Sequence, residues 1–125
     1  MMEYVSTDKA PKAIGPYSQA IKAGDFLYAS GQIPINPEDG EIEATTIADQ
    51  ADRVCRNIGE ILHAAGTDYD HVVKTTCFLA EMSDFAAFNA VYEKYFTSKP
   101  ARSCVAVQQL PRNVLCEVEV IAYLK

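Results

Sequence analysis

The stretch Val114-Leu115-Cys116-Glu117-Val118-Glu119-Val120-Ile121-Ala122-Tyr123-Leu124 decides how this chain is built. Its β-branched content marks a strand, and in a strand alternate residues point to opposite sides. Val114, Cys116, Val118, Val120 and Ala122 share one face; Leu115, Glu117, Glu119, Ile121 and Tyr123 share the other. Both faces carry bulky apolar side chains. A sheet with one solvated face reads apolar on one side and polar on the other, so this strand requires cover on both.

Reading backwards, Ala101–Val107 and Val72–Leu79 are further strand-like runs, the latter rich in Val, Thr, Cys and Phe. Ser18–Ala23 and Phe26–Ile33 flank Gly24-Asp25 and read as a β-hairpin with a tight turn. Pro34 to Gly40 is a loop by composition. Thr46–Ala65 is helical, because Ile47, Ala51, Val54, Cys55, Ile58, Ile61, Leu62 and Ala65 recur at spacings of three and four. Thr45 or Thr46 suits its N-cap and Gly66 its C′ position. A second helix carries the stripe Phe85, Phe88, Val91, Tyr92 and Tyr95, with Ser83 as its expected cap. Pro100 biases Lys99 toward extended backbone and marks the exit.

The order is hairpin, helix, strand, helix, strand, strand. A helix between strands suggests a right-handed crossover, and two such helices on one face of a mixed sheet define an α+β layer pair. Two helices cover one face only. The other face needs a partner, and a second copy of the chain meets that need most simply.

The chain has 125 residues, the usual size of one domain, so residues 1–125 are expected to form a single unit. Hydrophobic residues make up 49% and charged residues 22%, a globular balance. The net charge of −6 disfavours a nucleic-acid partner, since affinity for the phosphate backbone rests on Lys and Arg. Small molecules fit better. Cys55, Cys77, Cys104 and Cys116 form no C-x-x-C pair; they read as reduced, packed thiols of a cytoplasmic protein. No secretory signal or membrane-length apolar run is visible. His63 and His71 do not suggest a metal site.

Arg102 and Cys104 lie two apart on one strand and Glu117 and Glu119 two apart on the next, so each pair shares a face. Should those faces coincide, a guanidinium able to grip a substrate carboxylate meets a carboxylate able to move protons. A structural ion pair explains the same pattern equally well. Glu119 reads as structural more readily than Glu117. Cys104 lacks an obvious activating base and reads as a small packed side chain, not a nucleophile. Gly31, after Ser30 in a strand-like run, marks either close approach of a ligand or another backbone, or a bulge at a sheet bend. Tyr17 either packs or reaches a site with its hydroxyl. Asn89 gains nothing from helix propensity, and its plainest role is a solvated helix position.

Four stretches then align with one family: Ile14-Gly15-Pro16-Tyr17-Ser18-Gln19-Ala20; Ser30-Gly31-Gln32-Ile33-Pro34; Val73-Lys74-Thr75-Thr76 with Phe88-Asn89-Ala90-Val91-Tyr92; and Pro100-Ala101-Arg102-Ser103-Cys104-Val105 with Leu110-Pro111 and Glu117-Val118-Glu119. Together they resemble the RidA (YjgF/YER057c/UK) family of reactive-intermediate deaminases, nearly end to end. The resemblance implies a chorismate-mutase-like fold, a six-stranded mixed sheet with two helices on one face, assembled as a homotrimer with ligand clefts between subunits. It implies hydrolysis of 2-iminopropanoate and 2-iminobutanoate, released by pyridoxal-phosphate dehydratases, to 2-keto acids and ammonia. It casts Arg102 as carboxylate-binding and Glu117 as the acid near the attacking water. Tyr17, Ser30, Gly31, Asn89 and Cys104 match cleft positions. No cofactor is implied, because an imine is already electrophilic. A ribonuclease role and a non-catalytic ligand-binding trimer are the alternatives attached to the family.

Overall fold

A computed structural model describes residues 2–125. Six strands form one sheet: β1 (Met2–Val5), β2 (Ala20–Ala23), β3 (Phe26–Ala29), β4 (Val72–Leu79), β5 (Ala101–Ala106) and β6 (Cys116–Tyr123). Their order across the sheet is β1-β2-β3-β6-β4-β5. Every pairing is antiparallel except β4 with β5, which is parallel and joined through a helix. Parallel neighbours need such a crossover, because no tight turn reverses their direction. The last strand, β6, inserts between β3 and β4 and so occupies the middle of the sheet. Its central place puts Cys116, Val118, Val120 and Ala122 in the middle of the core.

The first helix, α1 (Ile47–Ala64), starts where Thr46 Oγ1 accepts the Asp49 amide at 3.2 Å. Such a cap stabilises a helix by about 1 kcal/mol. Gly66 ends it with φ +84, a left-handed conformation that only glycine adopts without strain. Ala51, Val54, Cys55, Ile58, Ile61 and Leu62 are fully buried against the sheet. Each large aliphatic among them contributes roughly 1.5–3 kcal/mol of burial. The second helix, α2 (Phe85–Tyr95), buries Phe88 and Tyr92, with Phe85, Val91 and Tyr95 packed partly against the same core.

Several expectations change at this level. Ser83 is not a cap: it sits inside a 3₁₀ turn (Met82–Asp84), and Asp84 precedes α2 without a side-chain bond. Lys99 is not extended: its φ is +57, and its amide bonds the Phe96 carbonyl at 3.2 Å to close the turn that reverses the chain into β5. The hairpin strands are shorter than their apolar runs, because Ser30 to Pro34 leaves the ladder after β3. Strand β1 has no apolar run to announce it and forms by pairing with β2.

Both helices lie on one side of the sheet, so the other side is open. Phe26, Tyr28, Val105 and Tyr123 face it with 36–48% of their surface exposed. Phe78 and Ile121 share that side. The second apolar face read from β6 is therefore present and uncovered.

Candidate active site

Register decides where the candidate residues point. Partners across a ladder project their side chains to the same side. Thr75 on β4 partners Val120 on β6 and Arg102 on β5, and both Thr75 and Val120 are buried beneath the helices. Arg102 and Cys104 thus lie on the helix-covered side, at the edge strand. Glu117 and Glu119 partner Phe78 and Thr76 and lie on the open side. The two pairs do not share a face. Within one chain the guanidinium and the carboxylates are separated by the sheet.

The Arg102 half is built on β5 and α2. Its Nη1 donates to Asn89 Oδ1 at 2.7 Å. Its guanidinium carbon stands 4.9 Å from the Tyr92 ring centroid and 5.4 Å from that of Phe85. Among the described residues no carboxylate pairs with it. Most of a half-buried fork of five donors is therefore available to an anion. An open cavity of about 340 Å³ adjoins it, lined by Asn89, Tyr92, Glu93, Lys99, Pro100 and Arg102. Asn89, plainest as a solvated position, instead orients the arginine. Cys104 is half-buried beside Cys77, its register partner. Burial pushes its thiol above the ordinary value, against the opposing charge of Arg102, which leaves it a poor nucleophile.

The second half lies on the open side. Gln32 pairs with Val118, its amide donating at 2.8 Å and its carbonyl accepting at 3.1 Å. That bridge sets Gly31 against Glu117. A Cβ on Gly31 would stand 2.0 Å from Glu117 Oε2, so the glycine leaves room for this carboxylate to lie against its backbone. Burial first, and the charge of Glu119 second, hold the Glu117 carboxyl above its ordinary range. Ser30 Oγ donates to the Ser18 carbonyl at 2.6 Å. Tyr17 is exposed and lines a shallow pocket of about 460 Å³ with Ser18, Ile21, Tyr28 and Ser30.

Sequence reading missed the buried polar residues that hold these loops. Gln19 accepts the Thr7 amide at 2.7 Å and donates to the Thr7 and Pro11 carbonyls at 3.0 and 2.7 Å, fixing the segment before Tyr17. Asn57, fully buried on α1, donates to the Ile33 and Ile35 carbonyls at 3.2 and 3.0 Å. Gln50 bonds the Leu115 amide at 2.8 Å and the Ala44 carbonyl at 3.0 Å. The signal was an amide within the buried helical stripe. Thr75 and Tyr92 were legible only as strand and core residues. No cluster able to hold a metal occurs among the described residues, and no helix is long and apolar enough to cross a membrane.

The α+β sheet thus carries, among the described residues, an arginine without a carboxylate partner on its helix-covered side and a half-buried carboxylate on its open side. The Endoribonuclease L-PSP family matches residues 7–124. RutC family protein PH0854 of Pyrococcus horikoshii is 55% identical over 124 residues, covering 98% of each chain. Reactive Intermediate Deaminase A, chloroplastic, of Arabidopsis thaliana is 50% identical over 123 residues, 98% of this chain and 66% of that protein. The crystal structure of E. coli TdcF with bound serine superposes with a TM-score of 0.94 at 39% identity, covering 98% of this chain and 99% of that one. The chain belongs to the RidA/YjgF family, whose members include reactive-intermediate deaminases.

Proposed function

We propose that this protein is a cytoplasmic, homotrimeric hydrolase that converts 2-imino acids and their enamine tautomers, 2-iminobutanoate and 2-iminopropanoate, to 2-keto acids and ammonia. The observation that carries this reading is the Arg102 fork, stacked on Tyr92, bonded to Asn89 and paired with no carboxylate among the described residues. It fits the carboxylate of a small 2-imino acid. Serine, the ligand in the TdcF structure, is also a small α-carboxylate.

The opposite orientation of Arg102 and Glu117 is the argument for assembly. One chain cannot present both to one ligand. A second copy laid by its open face against the β5 edge brings its own Gly31–Glu117 half to the first copy's arginine, and the exposed Phe26, Tyr28, Val105 and Tyr123 become the buried contact. Repeating the contact around a threefold axis closes the ring and leaves no open face. The four free thiols suit a reducing compartment.

In the reaction Arg102 holds the carboxylate and orients the imine carbon, removing much of the entropic barrier to attack. Glu117 takes a proton from water as its oxygen adds to that carbon. The same proton passes to nitrogen, giving a carbinolamine; Glu117 then takes the hydroxyl proton and hands it to that nitrogen, so the C–N bond breaks, ammonia leaves and the C=O bond forms. No cofactor enters this scheme. Cys104 supplies shape and no covalent bond.

The test is release of ammonia and 2-oxobutanoate when a threonine dehydratase generates 2-iminobutanoate in situ. The wild type accelerates it and Arg102→Ala does not, although the variant still assembles. Full activity in Arg102→Ala would sink the clamp. The family's ribonuclease name suggests a rival test: RNA affinity falling steeply with added salt, which the net charge of −6 disfavours.

A further inference from the structure

The hydroxyls of a buried pair beneath Arg102 take no step in the scheme above. Thr75 is 0% exposed on β4, and its Oγ1 lies 2.8 Å from Tyr92 Oη on α2. Tyr92 is 7% exposed. A valine and a phenylalanine would fill the same volumes without two hydroxyls to satisfy, and a buried hydroxyl without its partner is destabilising. The pair therefore restricts the core at this point to one arrangement. What that arrangement does is visible one atom further out. Thr75 is the register partner of Arg102, so both project from neighbouring strands toward α2. The Tyr92 ring is the surface on which the guanidinium rests, 4.9 Å away, and it stacks in turn on Phe96 at 4.6 Å. The Asn89 bond holds one nitrogen of the fork. It fixes a point; the plane needs a second restraint, and the ring supplies it.

We propose that Tyr92 and Thr75 are positioning residues for Arg102, the ring setting the plane of the guanidinium and the Thr75 hydroxyl fixing the ring. This rests on Arg102 acting as the carboxylate clamp. Neither residue needs to touch substrate. A planar fork binds a carboxylate through two parallel bonds only when its plane contains the carboxylate oxygens. A guanidinium free to swing about its Asn89 bond loses one of the two. The α2 helix thus contributes to specificity from beneath the site: Asn89 and Tyr92, three residues apart, lie on one helical face and grip the same side chain. The arrangement selects for a planar, bidentate anion over a single charged oxygen.

The experiment measures kcat and KM for 2-iminobutanoate in Tyr92→Leu, Tyr92→Phe, Thr75→Val and Arg102→Ala. It also follows the Arg102 Nε–H resonance, assigned by its disappearance in Arg102→Lys. Loss of a partly desolvated guanidinium–aromatic contact predicts a fall in kcat/KM of roughly 2- to 30-fold in Tyr92→Leu. A smaller fall is expected in Tyr92→Phe and Thr75→Val, where a ring remains but is no longer fixed. In all three the Arg102 Nε–H signal broadens or exchanges faster, a change that general loosening of α2 far from Arg102 does not produce. Wild-type kcat/KM and an unchanged Nε–H signal in a folded Tyr92→Leu, beside an inactive Arg102→Ala, would overturn the positioning role and leave the clamp standing. Full activity in Arg102→Ala would remove the clamp and this inference with it. Should Tyr92→Leu fail to fold, Tyr92→Phe and Thr75→Val decide: wild-type kinetics with an unaltered Nε–H signal in both overturns the proposal.

Discussion

Gly31→Ala isolates the position of Glu117 from its chemistry. The added methyl would lie 2.0 Å from Glu117 Oε2, 3.0 Å from its Cδ and 3.2 Å from its Cγ. Ordinary contact begins near 3.4 Å, so the carboxylate oxygen must retreat by about 1.4 Å. The displaced atom is the free end of a rotatable side chain, and Gly31 does not have a positive φ that alanine would resist. The cost in stability is therefore small, about 1 kcal/mol, the low end of overpacking. The cost in rate is not small: moving a catalytic group by about 1 Å can lower turnover on the order of 10²-fold. Steady-state kinetics on 2-iminobutanoate generated in situ, with urea unfolding alongside, measure the two separately. Glu117→Gln should lose at least as much, and the double variant no more than Glu117→Gln alone, because both act through one carboxylate. Wild-type kcat in a folded Gly31→Ala would show that the carboxylate's placement against Gly31 is irrelevant to catalysis.

Three further outcomes follow from the same structure. Burial and Glu119 hold the Glu117 carboxyl above its ordinary 4.5 in the folded chain, so folding is favoured with the proton on; this contribution is present below pH 4.5 and is lost as pH rises through the raised value. Glu117→Gln should then be more stable than wild type at pH 7 and no different at pH 4 in urea unfolding, and equal stability at both pH values would contradict the shift. Cys104→Ala should keep turnover within roughly tenfold of wild type, whereas loss of a true nucleophile costs about 10⁴-fold or more; an inactive, folded variant in the same kinetic assay would restore the thiol as a reactant. Asn57→Ala removes two buried bonds to the Ile33 and Ile35 carbonyls and should destabilise the protein by about 2–4 kcal/mol, with a loss below about 1 kcal/mol in urea unfolding counting against the anchor.

The loops carrying the open-side half depend on such anchors. Residues Ser30 to Pro34 leave the ladder after β3. The Gln32–Val118 bridge, the bonds of Ser30 to the Gln19 and Ser18 carbonyls, and Asn57 on the Ile33 and Ile35 carbonyls hold this segment and Gly31 beside Glu117. The Arg102 half is held differently, by a helix face and an edge strand. Its precision comes from α2, whose inward stripe serves both the core and the site.

The sequence alone determined both helices, five of the six strands and the two apolar faces of β6. Helix α1 was legible because an amphipathic period of three and four survives any tertiary arrangement, and its end was legible because glycine alone tolerates the left-handed backbone at residue 66. The double apolar face of β6 was legible because strand alternation has a period of two wherever the strand lies. Arg102, Glu117 and Gly31 could be singled out by residue type and by resemblance. Only the tertiary structure decided which way they point. Whether Arg102 and Glu117 share a face depends on the register of β4 between β5 and β6, and a slip of one residue reverses every side chain. That register is set by contacts between segments distant in the chain, which no local pattern encodes. Strand β1 and the amide anchors Gln19, Gln50 and Asn57 belong to the same class: each bonds backbone elsewhere in the chain.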